Sequence, residues 1–156
     1  MAPKPTGAPS VPLISMITPE TGYHIKEVLT ERHDMDVAHA WLANIYRARG
    51  QRGDALQVLT DARNAYPLSY EIYATLIDHL VSSGLYDRVI AAAQGEQMDA
   101  AEYDPEIWNY YGIAHMNAGK AAEAVLFFKK SLTLNDNNPS VYNNLGVLYY
   151  QMFERS

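Results

Sequence analysis

Five histidines, His24, His33, His39, His79 and His115, are the side chains of this sequence best suited to holding a metal or moving a proton near neutral pH. A hydrolytic zinc site would place two of them one helical turn apart with an acid between, as in His-Glu-x-x-His, so that the donors converge on one ion. No two of the five stand at that spacing, and His39 and His115 fall where a helix packs. Serine, histidine and aspartate all occur, but no spacing links them as nucleophile, base and orienting acid. There is no glycine-rich phosphate loop and no nucleophile elbow. The absence of cysteine removes thiolate ligands, thiol nucleophiles and a disulfide framework. Asn138-Pro139-Ser140 fails as a glycosylation acceptor because proline holds its middle position. The expectation is a protein without catalysis, cofactor or metal site, whose function lies in its surface.

Charge narrows the partners of that surface. The chain has 156 residues and a net charge of −6, whereas phosphate-backbone binding needs clustered Lys and Arg, so nucleic acid is not expected as a partner. No apolar run reaches the length of a membrane span. Val11–Ile17 is apolar but short and interrupted by Pro12, so it does not read as a signal peptide, and a cytoplasmic setting is favoured.

The elements that present this surface follow from the chain's punctuation. Five of the eight prolines lie in the first nineteen residues, so 1–18 is expected to be a flexible Pro-rich arm or linker. In 19–35, Thr18 can cap, Pro19 suits the first helical position, and Ile25, Val28 and Leu29 make one apolar stripe. That segment reads as an N-terminal capping helix. From Asp36 the chain repeats with a period near 34: 36–69, 70–104, 105–138 and a partial unit 139–156. "DPEIWNYYGIAHMNAGKAA" and "NPSVYNNLGVLYYQMFERS" align without a gap, and Gly50, Gly84 and Gly119 stand at one place in the three complete units. Glycine there ends a first helix in the left-handed conformation.

Within a unit, two antiparallel helices approach closely only if the crossing residues are small. Ala43, Gly112 and Gly146 provide this on the first helix, and Ala55 and Ala124 on the second. Leu42, Tyr46, Tyr111, Leu145, Leu59 and Phe128 are the large residues around the crossing, and Pro67 stops a second helix. The middle unit departs: Ile77 replaces the small residue, Val89 the alanine and Ala93 the large one. A shortened helix near 86–94 and a looser connection through "EQMDAAEYDP" are expected.

"WNYYGIAHMNAGKAAEAVLFFKKSLTL" and "VYNNLGVLYYQM" carry an aromatic, a Leu-Gly-like pair, a Tyr-like position, then Ala, a large aromatic and Ala. This pattern resembles the tetratricopeptide repeat, over residues 36–156. The resemblance implies an all-α superhelical solenoid of three helix-turn-helix repeats, plus one final unpaired or capping helix behind a Pro-rich arm. It further implies a non-catalytic adaptor or scaffold whose first helices line a concave peptide- or protein-binding groove. Carried across residue by residue, that groove comprises Trp41, Asn44, Arg47, Asp78, Asn109, Tyr110, Ile113, Met116, Asn117, Asn143, Asn144, Val147 and Tyr150. Tyr110 and Met116 read equally well as packing between helices. A lysine and asparagine clamp for chaperone tails is not expected: Asn44 matches one position, but Ala40 and Thr75 stand at two others.

Eight acids and one base lie between Glu71 and Glu106, a solvated acidic surface or a site steering a basic partner. The last helix carries Leu145, Leu148, Tyr149, Met152 and Phe153, more apolar surface than a cap should turn outward. A piece of a longer protein is the favoured expectation. The others are a homo-oligomer formed through this face and a fold-back of the N-terminal segment. Two further functional readings remain: a secretion-type chaperone of similar size and architecture, and a regulatory part of a larger enzyme.

Overall fold

The computed structural model describes residues 36–95 and 99–156. The expected arm at 1–18 and capping helix at 19–35 lie outside the described residues. These hold no strand; they form seven α-helices and one 3-10 helix. The α-helices are α1 (Asp36–Ala48), α2 (Arg52–Ala65), α3 (Tyr70–Ser82), α4 (Tyr86–Gln94), α5 (Pro105–Asn117), α6 (Ala121–Leu134) and α7 (Pro139–Glu154), with the 3-10 helix Asp99–Tyr103 before α5. The fold is an all-α solenoid of helix pairs. No described helix is long and apolar enough to cross a membrane.

The turn inside each pair is one device used three times. Gly50, Gly84 and Gly119 adopt φ of 78°, 71° and 77°. After each, the following N–H reaches back to a carbonyl in the last helical turn: Gln51 to Tyr46, Leu85 to Leu80 and Lys120 to His115, each at 2.9 Å. The glycine N–H bonds the residue three before it in every case. This double closure satisfies carbonyls that the helix end would leave bare, and it needs a residue without a Cβ penalty. The first helices that follow an interunit loop are capped by side chains instead. Ser69 accepts from Ile72 N–H, Asp104 from Glu106 N–H and Asn138 from Val141 N–H. Pro105 and Pro139 occupy the first helical positions of α5 and α7.

Packing within a pair turns on one large and one small side chain. In the third unit Phe128 is fully buried, and its ring lies so close to Gly112 that an ideal Cβ there would stand 2.5 Å from Cε1. Leu59 fills the same role beside Ala43 and Ala55 in the first unit. The middle unit exchanges the two volumes. Ile77 on α3 is buried in the central cluster, and Ala93 on α4 packs against that cluster. Large and small have changed helices while the crossing stays filled, a volume-conserving swap of the kind cores tolerate. A cavity of about 290 Å³ bordered by Tyr73, Leu76, Ile77, Ala92 and Gly95 lies beside this unit, where the nine-residue α4 ends. The 3-10 helix that follows buries Ala101 in the same central cluster as Ile107 and Tyr111.

Successive first helices also touch: α1 packs on α3, α3 on α5 and α5 on α7. Each second helix packs on the first helix of its own unit and of the next. The first helices therefore form the inner layer of the array. Val141, Leu145 and Leu148 of α7 are buried against Ala124 and Phe128. Nothing described stands within 4 Å of a Cβ built at Gly146, the counterpart of Gly112.

The two glycines should therefore respond oppositely to the same change. Gly112→Ala should lower the thermal midpoint, because displacing the buried Phe128 ring costs about 1–3 kcal/mol, more than the ~1 kcal/mol gained in helix propensity. Gly146→Ala should raise it by the propensity gain alone. Thermal unfolding followed by circular dichroism of both variants checks this.

Candidate functional site

The inner face places one side chain of each first helix against the next. Arg47 on α1 donates to Asp78 Oδ2 on α3 at 2.7 Å. Tyr110 on α5 donates its hydroxyl to Asp78 Oδ1 at 3.0 Å. Asp78 thus uses both oxygens to tie α1, α3 and α5 together. Arg47 also reaches Ser82 Oγ at 3.4 Å. The Arg47–Asp78 pair is half-exposed, so it contributes only on the order of 0–1 kcal/mol and acts mainly by fixing positions. Burial and the neighbouring Asp78 carboxylate push the Tyr110 phenol up, so it stays a neutral donor at any physiological pH.

A second tie lies beside the first. His79 is buried, and its Nε2 bonds Asn44 Oδ1 at 2.9 Å, which requires Nε2 to carry the proton and donate. Burial pushes the imidazole down to about 4; the Arg47 guanidinium acts in the same direction and Asp78 opposes it. Neither Asn44 with His79 nor Arg47 with Asp78 was legible as a pair in the sequence. The only signal is their separation, 35 and 31 residues, which brackets one repeat.

The remaining groove positions divide by environment. Trp41 and Asn44 line a cavity of about 360 Å³ with Ile45, Ala48 and Arg49. Asn109 is buried; its Nδ2 donates to Glu106 Oε2 at 3.4 Å and its Oδ1 is the one buried acceptor without a partner among the described residues. Glu106 in turn accepts from Asn138 Nδ2 at 3.0 Å, joining α5 to the cap of α7. Ile113 and Met116 are half-buried against the Val141–Leu148 cluster. Asn117 is exposed, with Nδ2 donating to Ile113 O at 2.8 Å. On α7, Asn143, Val147 and Tyr150 are exposed and Asn144 is half-buried. In the set expected for self-association, Leu145 and Leu148 belong to the core, while Tyr149, Met152 and Phe153 are exposed.

Several acids of the middle stretch have structural tasks. Asp78 holds the tie, Asp104 caps α5 and accepts the Tyr70 hydroxyl, and Glu106 bridges two asparagines. Glu71, Asp87 and Glu102 are left exposed. His115 is buried, with Nδ1 bonding Tyr111 O at 2.8 Å and its ring 4.7 Å from that of Phe127. Among the described residues, no group of three His, Asp or Glu side chains is placed to hold a metal.

The buried neutral His79 makes stability depend on pH with a definite sign. The unfolded chain takes up a proton near pH 6.5, the folded one only near 4, so the stabilisation is full above 6.5 and is lost as pH falls between these values. The loss approaches about 3 kcal/mol at the acid end. His79→Gln, which keeps a donor but cannot titrate, should show a shallower fall in urea midpoint from pH 6.5 to 4 than the parent.

The comparisons with known proteins agree with this geometry. Residues 105–138, the third unit, match the family model of the tetratricopeptide repeat. No curated protein sequence matches the chain significantly. Among solved structures, residues 41 to the end of MamA from Desulfovibrio magneticus RS-1 superpose with a TM-score of 0.69 at 16% identity, covering 85% of this chain and 75% of that one. A crystal structure of MamA gives 0.72 at 16% identity, over 85% and 77% of the two chains. PilF from Pseudomonas aeruginosa gives 0.71 at 23% identity, over 91% of this chain and 64% of PilF. Likeness at such identity speaks for the fold alone. Residues 105–138 are a tetratricopeptide repeat, and the helix pairs on either side of it share its architecture, so the chain has the fold of a tetratricopeptide-repeat solenoid.

Proposed function

We propose that the inner face of this array binds an extended segment of a partner protein, and that the chain acts as a non-catalytic adaptor. The observation that carries this reading is the continuous row of polar groups across α1, α3, α5 and α7. Asp78 holds Arg47 and Tyr110, His79 holds Asn44, and Asn117 and Asn143 are exposed further along. An extended peptide presents N–H and C=O groups in alternation, and a carboxamide can answer both kinds. Because Asn44, Arg47, Asp78 and Tyr110 are fixed by interhelical bonds before a ligand arrives, little ordering of those side chains opposes binding. Val147 and Tyr150 offer apolar contact beside the asparagines.

The partner segment we favour is basic. The net charge of −6 and the exposed Glu71, Asp87 and Glu102 attract such a segment over distance, while the groove itself supplies hydrogen bonds. Charge therefore governs the rate of encounter and its salt dependence more than the contacts within the groove.

A random peptide display library panned on the whole chain tests the reading. Recovered peptides should be rich in Lys and Arg and should bind more weakly as salt rises. Asn117→Ala combined with Asn143→Ala should weaken them tenfold or more, the loss of two hydrogen bonds at about 1 kcal/mol each. Leu126→Ala, at an exposed position of the second helix α6, should leave them unchanged. Peptides indifferent to the asparagine pair would place binding elsewhere.

A further inference from the structure

We propose that α7 is a self-association helix: two copies of this chain pack antiparallel through it and cross at Gly146. The core face of α7 is already filled, since Val141, Leu145 and Leu148 are buried against α5 and α6. A second stripe, about 110° round the helix from the core face, is aromatic. Tyr142, Tyr149, Tyr150 and Phe153 lie within about 60° of Gly146 at 100° per residue, and they are 53%, 46%, 66% and 77% exposed. A helix apolar on both faces is a buried helix.

Three observations select a second copy as the occupant. First, from Pro139 to Phe153 α7 carries no charged residue, although the chain as a whole carries −6. Two like-charged copies meet with little repulsion along a stretch that has no charge. Second, the stripe is self-complementary. Gly146 sits at its centre, with Tyr142 four residues before and Tyr149 and Tyr150 three and four after. A twofold axis at Gly146 therefore sets the Tyr142 of one copy opposite Tyr149 and Tyr150 of the other, as an isologous interface requires. The glycine lets the backbones approach, as Gly112 does for Phe128, and the space above Gly146 is open. Third, the area suffices. Four aromatic side chains of about 200 Å² each, exposed as above, offer on the order of 500 Å² per copy, or about 1,000 Å² in all, where specific interfaces begin.

The stripe shares Tyr150 with the proposed groove, whose polar row lies mainly on α1, α3 and α5. Sedimentation equilibrium of the whole chain across a concentration series tests it, with Gly146→Leu and Tyr149→Glu beside the parent. A Cβ at this position meets nothing within 4 Å and the site is on the exposed side of the helix, so Gly146→Leu should keep or raise the thermal midpoint while blocking close approach. The expected result is a parent that passes from monomer to dimer, with both variants raising the dimer dissociation constant at least about tenfold. Binding of groove peptides by Tyr149→Glu, whose side chain lies about 120° round the helix from Asn143, should persist, which separates failure of this proposal from failure of the groove reading. A parent that stays monomeric at the highest concentration, with α7 open or covered by another partner, overturns the proposal. So does a dimer that both variants leave intact.

Discussion

Everything in this array depends on how closely two helices can cross. Where Phe128 lies on the bare α-carbon of Gly112, the ring occupies space that any side chain would claim. That contact sets the separation of α5 and α6, and the glycine turn at Gly119 sets the angle at which the chain returns. Once one pair is fixed, its exposed flank can only be covered by the next, so units add in one direction. The middle unit shows that the constraint concerns summed volume rather than residue identity. Ile77 and Ala93 meet it with the large and small partners reversed.

The inner face follows from that spacing. Because first helices touch one another, side chains of α1, α3 and α5 reach across to bond directly, and Asp78 receives from both neighbours. Such ties add little energy individually at a half-exposed surface. Their effect is geometric: they fix which donors and acceptors face outward and keep His79 dry and neutral beside Asn44. An inner face assembled from several units is thereby held as one piece, although each unit packs on its neighbours.

Much of the fold was legible in the sequence because its constraints are periodic. Gly50, Gly84 and Gly119, and the small residues at the crossings, recur at positions that only one architecture explains. The site was less legible, because its defining contacts join different units and leave no mark within one. Asn109 has the same spacing from its helix start as open groove residues, yet it is buried under Glu106, which Asn138 of the next unit holds in place. Leu145 and Leu148 look like Tyr149 and Met152 as apolar residues of one helix, and only packing against α6 separates them. The eight acids of the middle stretch form one block in the sequence. In space Asp104 caps, Asp78 and Glu106 tie, and Glu71, Asp87 and Glu102 lie on open surface.

The short α4 and the cavity beside it give the array an uneven stiffness. On the inner side α1, α3 and α5 are strapped together through Asp78, whereas on the outer side the nine-residue α4 leaves about 290 Å³ unfilled. A rod with a strap along one edge and a void along the other flexes about the strap. Bending of this array is therefore expected in its middle unit, where it would open or close that gap while Asp78 keeps α1, α3 and α5 together.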